Sequence, residues 1–140
     1  MTIGQICTRF PVSTGRSDSV AQAARQMATS DTGSLVVTTL DGEPEGILTD
    51  RDVVIRCVAE GLVPENTTVA DIMTDRVCTI HEDAGVEDGL EQMAEEEVRR
   101  LVVVNDAGRV VGIVSLDDFL SGIIDQVDEV GRLLWAQVHV

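Results

Sequence analysis

Two stretches of this chain carry a hydroxyl and a carboxylate at one spacing: Thr49-x-x-Asp52 in Gly46-Ile47-Leu48-Thr49-Asp50-Arg51-Asp52, and Ser115-x-x-Asp118 in Gly112-Ile113-Val114-Ser115-Leu116-Asp117-Asp118. In each, an apolar pair reads as a strand end and the acidic residues as the first turn of a helix. A hydroxyl at the strand end and a carboxylate three residues later then face the same side of the turn, and so face one ligand together. Backbone N–H groups of the helix start, with the Thr49 or Ser115 hydroxyl, would donate to a phosphate. The carboxylate of Asp52 or Asp118, purely an acceptor when ionised, would take hydrogen bonds from two vicinal ribose hydroxyls. The same residues also approximate capping boxes that need no ligand, and both readings stand at this stage.

The elements that hold these corners come from an internal repeat. Sliding the sequence on itself aligns the segment from Ile6 to about Asp52 with Ile72 to Asp118 at an offset of 66 residues, without a gap. Ile6-Cys7-Thr8 lies over Ile72-Met73-Thr74, Gln26-Met27-Ala28 over Gln92-Met93-Ala94, and Leu35-Val36-Val37 over Leu101-Val102-Val103. Val20, Ala23, Ala24 and Met27, and again Val86, Leu90, Met93 and Ala94, recur at the spacing of one helical face. A capping box at Ser19 and Gln22 opens the first of these helices, and Gly85 with Asp88 gives the second a weaker start. Each helix leads into an aliphatic hairpin with a glycine turn, and each repeat closes with a second helix, near Arg51 to Glu60 and from Asp117 onward. Pro44 predicts an irregular or edge-like second strand in the first hairpin.

The predicted organisation is a first repeat over 1–61, a linker over 62–69, and a second repeat over 70–140 with a long final helix. The fold class is α/β (α+β): two βαββα repeats packed with pseudo-twofold symmetry, because one such unit cannot cover its own sheet on both sides.

This pattern resembles the tandem cystathionine-β-synthase-type module, known as a CBS pair or Bateman module. The resemblance covers nearly the whole chain, resting on Ile72-Met73-Thr74, the aliphatic runs and above all the duplicated Gly-apolar-apolar-Thr/Ser-x-x-Asp pattern. Cys7 departs from it where methionine is expected. The resemblance implies a stand-alone regulatory module with no required cofactor, binding an adenosine-containing ligand such as AMP, ADP, ATP, S-adenosylmethionine or NAD(H), and signalling to an unidentified partner protein. The ligand-binding residues it implies are Thr49, Asp52, Ser115 and Asp118. Arg99 and Arg100 join them, since similar modules often place a basic residue over the phosphate. These arginines precede the aliphatic strand of the second repeat, which gives that repeat the better claim on phosphate, whereas Gly33 and Ser34 hold the matching places in the first. Ion pairing of Arg99 and Arg100 with Glu95-Glu96-Glu97 is the alternative. The competing function is a ligand-free scaffold for dimerisation or protein docking.

Composition narrows the classes further. Across 140 residues, 25 acidic side chains face 10 basic ones for a net charge of -15, so a nucleic-acid backbone is repelled and no nucleic-acid partner is expected. All the basic residues are arginine, a skew that resembles salt-adapted proteomes and suggests a halophile, in which molar salt would screen an anionic ligand from the net charge. No apolar run approaches a membrane span and no secretory leader is visible, so a cytoplasmic location is expected. Cys7, Cys57 and Cys78 form neither a disulfide framework nor a zinc pattern and read as small hydrophobes. His81 and His139 belong to no metal-spaced set, no catalytic constellation emerges, and the chain reads as a non-enzyme. The stripe of Phe119, Leu120, Ile123, Ile124, Val127, Val130 and Leu134 on the final helix predicts a homodimer, with Trp135 either an interface anchor or folded back on its own chain.

Overall fold

The computed structural model describes residues 1–138 of the chain, so His139 lies outside the described residues. The first repeat runs α1 (Ile3–Ile6), β1 (Thr8–Arg9), β2 (Ser13–Thr14), α2 (Val20–Ser30), β3 (Ser34–Thr38), β4 (Pro44–Thr49) and α3 (Asp50–Asp52), which widens at once into a π-helix over Val53–Val58. After a 3₁₀ turn at Pro64–Asn66, the second runs α4 (Val69–Ile72), β5 (Thr79–His81), α5 (Val86–Glu96), β6 (Arg100–Val104), β7 (Val110–Ser115) and α6 (Leu116–Val138). This is the mixed α+β fold predicted from the repeat. Among the described residues no helix is long and apolar enough to cross a membrane.

Local chemistry sets the element ends. Ser19 Oγ accepts from Gln22 N at 3.1 Å while Gln22 Oε1 accepts from Ser19 N at 2.9 Å, closing the capping box of α2. Asp88 Oδ2 accepts only the longer 3.3 Å bond from Gly85 N at α5. Both helices stop at a left-handed residue, Asp31 (φ 49°) and Glu97 (φ 56°), which turns the chain sharply into β3 and β6. The hairpin irregularity expected from Pro44 is present as a register shift between Val37 and Thr38, but the second hairpin shifts likewise between Val103 and Val104 with no proline. The bulge therefore belongs to the repeat rather than to Pro44.

The strands form two sheets, β2-β3-β4 and β1-β7-β6-β5. Their order reveals an exchange. β1, from the start of the chain, pairs antiparallel with β7 of the second repeat, placing Thr8 opposite Ile113. In return, Thr74 forms a bridge with Ile47 of β4, with both backbone bonds at 3.0 Å. The openings of the repeats are swapped in the same manner: Ile3 N donates to Ala84 O and Gly4 N to Glu82 O, while Val69 N donates to Asp18 O and Ala70 N to Arg16 O. Ile3 accordingly lies in the core of the second repeat with Ile80, Met93, Leu101, Val103, Val114 and Phe119. Val69 and Ile72 lie in the core of the first with Val20, Met27, Leu35, Val37 and Leu48. On the alternate face of the central strands Val36 and Val102 are also buried, so both sides of each sheet are covered.

Two glycines permit the exchange. A Cβ on Gly46 would sit 2.7 Å from Thr74 O and 2.9 Å from Met73 Sδ, and one on Gly112 would sit 2.6 Å from Cys7 Sγ and 3.0 Å from Thr8 O. Gly112→Ala is expected to lower stability by about 1–3 kcal/mol through overpacking against Cys7. Gly122→Ala, in α6 with nothing within 4 Å of the added methyl, is expected to raise it by about 1 kcal/mol. Urea unfolding of the two variants checks both signs.

Candidate functional site

Each hydroxyl-carboxylate corner sits where a hairpin strand enters a helix, and each is held by its own backbone. Thr49 N donates to Asp52 Oδ2 at 3.0 Å and Asp52 N to Thr49 Oγ1 at 3.2 Å. Ser115 N donates to Asp118 Oδ2 at 2.8 Å and Asp118 N to Ser115 Oγ at 3.3 Å. The capping role left open by the sequence is thus realised at both corners. The second carboxylate oxygen of Asp52 lies 3.7 Å from Arg56 Nε. Asp118 has no ion pair among the described residues, because the position matching Arg56 is Gly122.

The expectation that free N–H groups of the helix starts would donate to a phosphate is corrected here. At the first corner Asp50 N donates to Gly33 O, Arg51 N to Asp50 Oδ1, and Asp52 N to Thr49 Oγ1, so the whole first turn is spent. At the second corner Leu116 N goes to Arg99 O and Asp118 N to Ser115 Oγ, leaving only the N–H of Asp117 among the first three. Donors for an anion must come from side chains.

The corners nevertheless open into hollows. The first, about 220 Å³, is lined by Thr49, Asp52 and Ile47 from one repeat and by Thr74, Arg76, Arg99 and Arg100, with Cys78 and Val98, from the other. The second, about 290 Å³, is lined by Ser115, Asp118, Asp117 and Ile113 from the second repeat and by Thr8, Asp31, Thr32, Gly33 and Ser34 from the first, with Arg100 reaching in. Applying the 66-residue offset maps Thr74 onto Thr8, Val98 onto Thr32, Arg99 onto Gly33 and Arg100 onto Ser34. The hollows are therefore a symmetric pair, each built between the repeats by the strand exchange.

That construction relocates the arginines. Arg99 and Arg100, assigned with the second corner by sequence proximity, line the cleft of Thr49 and Asp52, and Arg100 also borders the cleft of Ser115 and Asp118. A groove of about 250 Å³ lined by Arg99, Arg100, Ser115, Leu116 and Asp117 lies between them. Nor do these arginines neutralise the acidic run of α5. Arg76 does so, forming an ion pair with Glu96.

The CBS domain model matches this chain twice, over residues 3–58 and 69–125, one match to each repeat and its Thr/Ser-x-x-Asp corner. The chain belongs to the CBS-domain family. It is 32% identical over 121 residues to an uncharacterized protein of Methanopyrus kandleri, covering 86% of this chain and 62% of that protein, so the chain spans less than two thirds of that relative. Among solved structures, a CBS domain protein of Pyrobaculum aerophilum complexed with AMP is similar, with a TM-score of 0.74, 27% identity, and coverage of 84% of this chain and 89% of that one. The CBS domain pair of protein MJ0100, in complex with 5′-methylthioadenosine and S-adenosylmethionine, is similar with a TM-score of 0.77, 27% identity, and coverage of 88% and 99%.

Sequence reasoning missed Thr8, Asp31, Thr74, Arg76 and Asp117 as cleft residues of this CBS pair. The duplicated Ile6-Cys7-Thr8 and Ile72-Met73-Thr74 openings were the available signal for the threonines. His81, expected as an ordinary loop residue, meets Asp106 Oδ1 through Nε2 at 2.6 Å and accepts from Asp83 N through Nδ1 at 3.1 Å. One ligand atom from each of His81, Asp83 and Asp106 lies within 4.8 Å of the others; the Nε2–Asp106 bond joins two of them, and the Asp83 carboxylate lies 3.8 Å from Nδ1.

Burial raises the pKa of the Cys78 thiol in the first cleft, and neighbouring Glu96 adds to the shift. Burial raises that of Cys7 as well, with Arg9 opposing it and Asp118 adding to it. A raised thiol pKa leaves less thiolate at neutral pH, and the thiolate is the nucleophile. Alkylation of Cys78 by iodoacetamide at pH 7.5 is expected to run slower than that of free cysteine, and to accelerate as pH rises above the ordinary thiol range. Peptide mapping of alkylated cysteines against time checks this.

Proposed function

We propose that this CBS pair is a regulatory module that binds an adenosine-containing ligand between its repeats and passes its occupancy to a partner protein. The observation carrying the reading is the pair of open inter-repeat clefts, each with a hydroxyl-carboxylate corner at its mouth. Oδ2 of each corner carboxylate caps its own helix; the other oxygen of Asp118 has no ion-pair partner among the described residues and that of Asp52 lies 3.7 Å from Arg56 Nε, and each retains acceptor capacity for ribose hydroxyls. Ile47, Val98 and Cys78 in one cleft and Ile113 in the other offer apolar walls for the base. Relatives of this fold complexed with AMP, or with 5′-methylthioadenosine and S-adenosylmethionine, support the same ligand class. A ligand spanning two repeats favours whichever packing of them fits it best, and that difference is what a partner would read.

Thermal unfolding with and without AMP, ATP, S-adenosylmethionine and NADH tests the reading, in dilute buffer and again in molar salt. At least one ligand is expected to stabilise the chain, by about 2.7 kcal/mol at a hundredfold excess over Kd. The increment is expected to vanish in Asp52→Ala/Asp118→Ala and to persist in Glu60→Ala. Removing the two carboxylates also costs about 1 kcal/mol per lost cap, so the ligand-induced increment is the readout rather than the melting point itself. No stabilisation by any of the four would favour the scaffold instead. A halophilic origin would make the increment persist in molar salt, and its collapse there with the fold intact would refute that part.

The module is proposed to act as a homodimer. Leu120, Ile123, Ile124, Val127, Val130 and Leu134 are about half or more exposed along α6, as is Trp135. The repeat places a matching face on the first half: Val54 and Val58, at the positions equivalent to Leu120 and Ile124, are also more than half exposed. Two such faces on one chain suit an isologous contact with a second copy. Light scattering is expected to give twice the chain mass for the wild type and the chain mass for Ile124→Glu/Val127→Glu. A monomeric wild type at micromolar concentration would defeat the proposal.

A further inference from the structure

Because the two clefts correspond position by position, their charges can be compared directly, and they are opposite. The first cleft sets Arg99 and Arg100 against the carboxylate of Asp52, while its third arginine, Arg76, is held in an ion pair by Glu96. The Asp52 carboxylate is itself partly balanced by Arg56 at 3.7 Å. The second cleft sets Asp31, Asp117 and Asp118 against Arg100 alone. The contrast arises by substitution at equivalent places: Arg99 faces Gly33 across the repeat, Arg100 faces Ser34, and Arg76 faces Phe10, while Asp117 of the second corner stands where the first has Arg51. Arg99 and Arg100 form no ion pair among the described residues, so their paired donors are open to an oxyanion. The helix-start N–H groups of the first corner are spent, which leaves these guanidinium groups as its phosphate donors.

Resting on the adenosine reading of these clefts, we propose that they divide their ligands by charge. The first cleft takes the adenine nucleotide with its di- or triphosphate against Arg99 and Arg100. The second takes an adenosine whose 5′ end is neutral or cationic, a thioether or sulfonium, because three carboxylates repel a polyphosphate and attract a sulfonium. The module thereby holds one anionic and one non-anionic adenosine at once rather than two copies of one ligand.

Calorimetric titration of the full chain with ATP and with S-adenosylmethionine, at 0.1–0.2 M salt, tests the division. The wild type is expected to bind one ATP per chain, and to bind S-adenosylmethionine whether or not ATP is present. Arg99→Ser is expected to weaken ATP about tenfold or more and to leave S-adenosylmethionine within about twofold. Asp117→Arg, which gives the second corner the residue of the first, is expected to weaken S-adenosylmethionine several-fold and to admit a second ATP. Two ATP per wild-type chain at equal affinity, competition between the two ligands for one cleft, or an equal effect of Arg99→Ser on both would overturn the division while leaving an adenosine-binding module. Failure of both ligands to bind would overturn the division together with the function on which it rests.

Discussion

The structure depends on the close approach of each repeat's opening segment to the other repeat's last strand. Thr8 against Ile113 and Thr74 against Ile47 are short pairings, yet each is backed by an isoleucine or valine inserted into the opposite core and by two backbone bonds near its helix. Neither repeat has a complete core without the other, since Ile3 belongs to the second and Val69 and Ile72 to the first. At Gly46 and Gly112 the approach is so tight that only a missing Cβ permits it. The two repeats that the sequence divides by a linker interlock through cores to which both contribute.

The same exchange creates the clefts. Were each repeat to keep its own opening segment, Thr74 would not stand beside Thr49, nor Thr8 beside Ser115. A ligand in either hollow touches both repeats, so its binding free energy is expressed as a preference for one arrangement of the pair. The corner residues stand at both jobs at once: Asp52 and Asp118 close the first helical turns with one oxygen and also line the hollows, so under the proposed function a substitution there mixes a stability effect with a binding effect.

Much of this was legible in the sequence, because the repeat supplied two readings of every element. Where both copies agreed on a signal, as in the apolar face of Val20, Ala23 and Met27 and its counterpart of Val86, Leu90 and Met93, the element is found where expected. The irregular hairpin was foreseen but given the wrong cause, since a bulge common to both repeats was visible only as Pro44 in one of them. Arg99 and Arg100 border Ser115 as proximity along the chain suggested, but their place in the cleft of Thr49 and Asp52 was not legible, because strand exchange carries that corner across to meet them. The free helix-start donors failed for a local reason: Asp50 accepts from its neighbour's N–H, and Gly33 and Arg99 lend their carbonyls to the turn.

Net charge and local charge now fit together. A chain carrying -15 raises the cost of approach for any polyanion, and that cost is felt at long range and screened by salt. The contact itself is short-ranged, and there the sequence spends three of its ten basic residues on one cleft. Of those three, Arg76 is held by Glu96, while Arg99 and Arg100 stand at the start of β6 where the left-handed turn at Glu97 directs the chain into the hollow. The equivalent turn at Asp31 delivers Gly33 and Ser34 to the other cleft by the same backbone path, with no charge to offer. The two repeats thus share a backbone path into their clefts while the side chains lining them differ in charge, which is how one fold presents two different electrostatic environments.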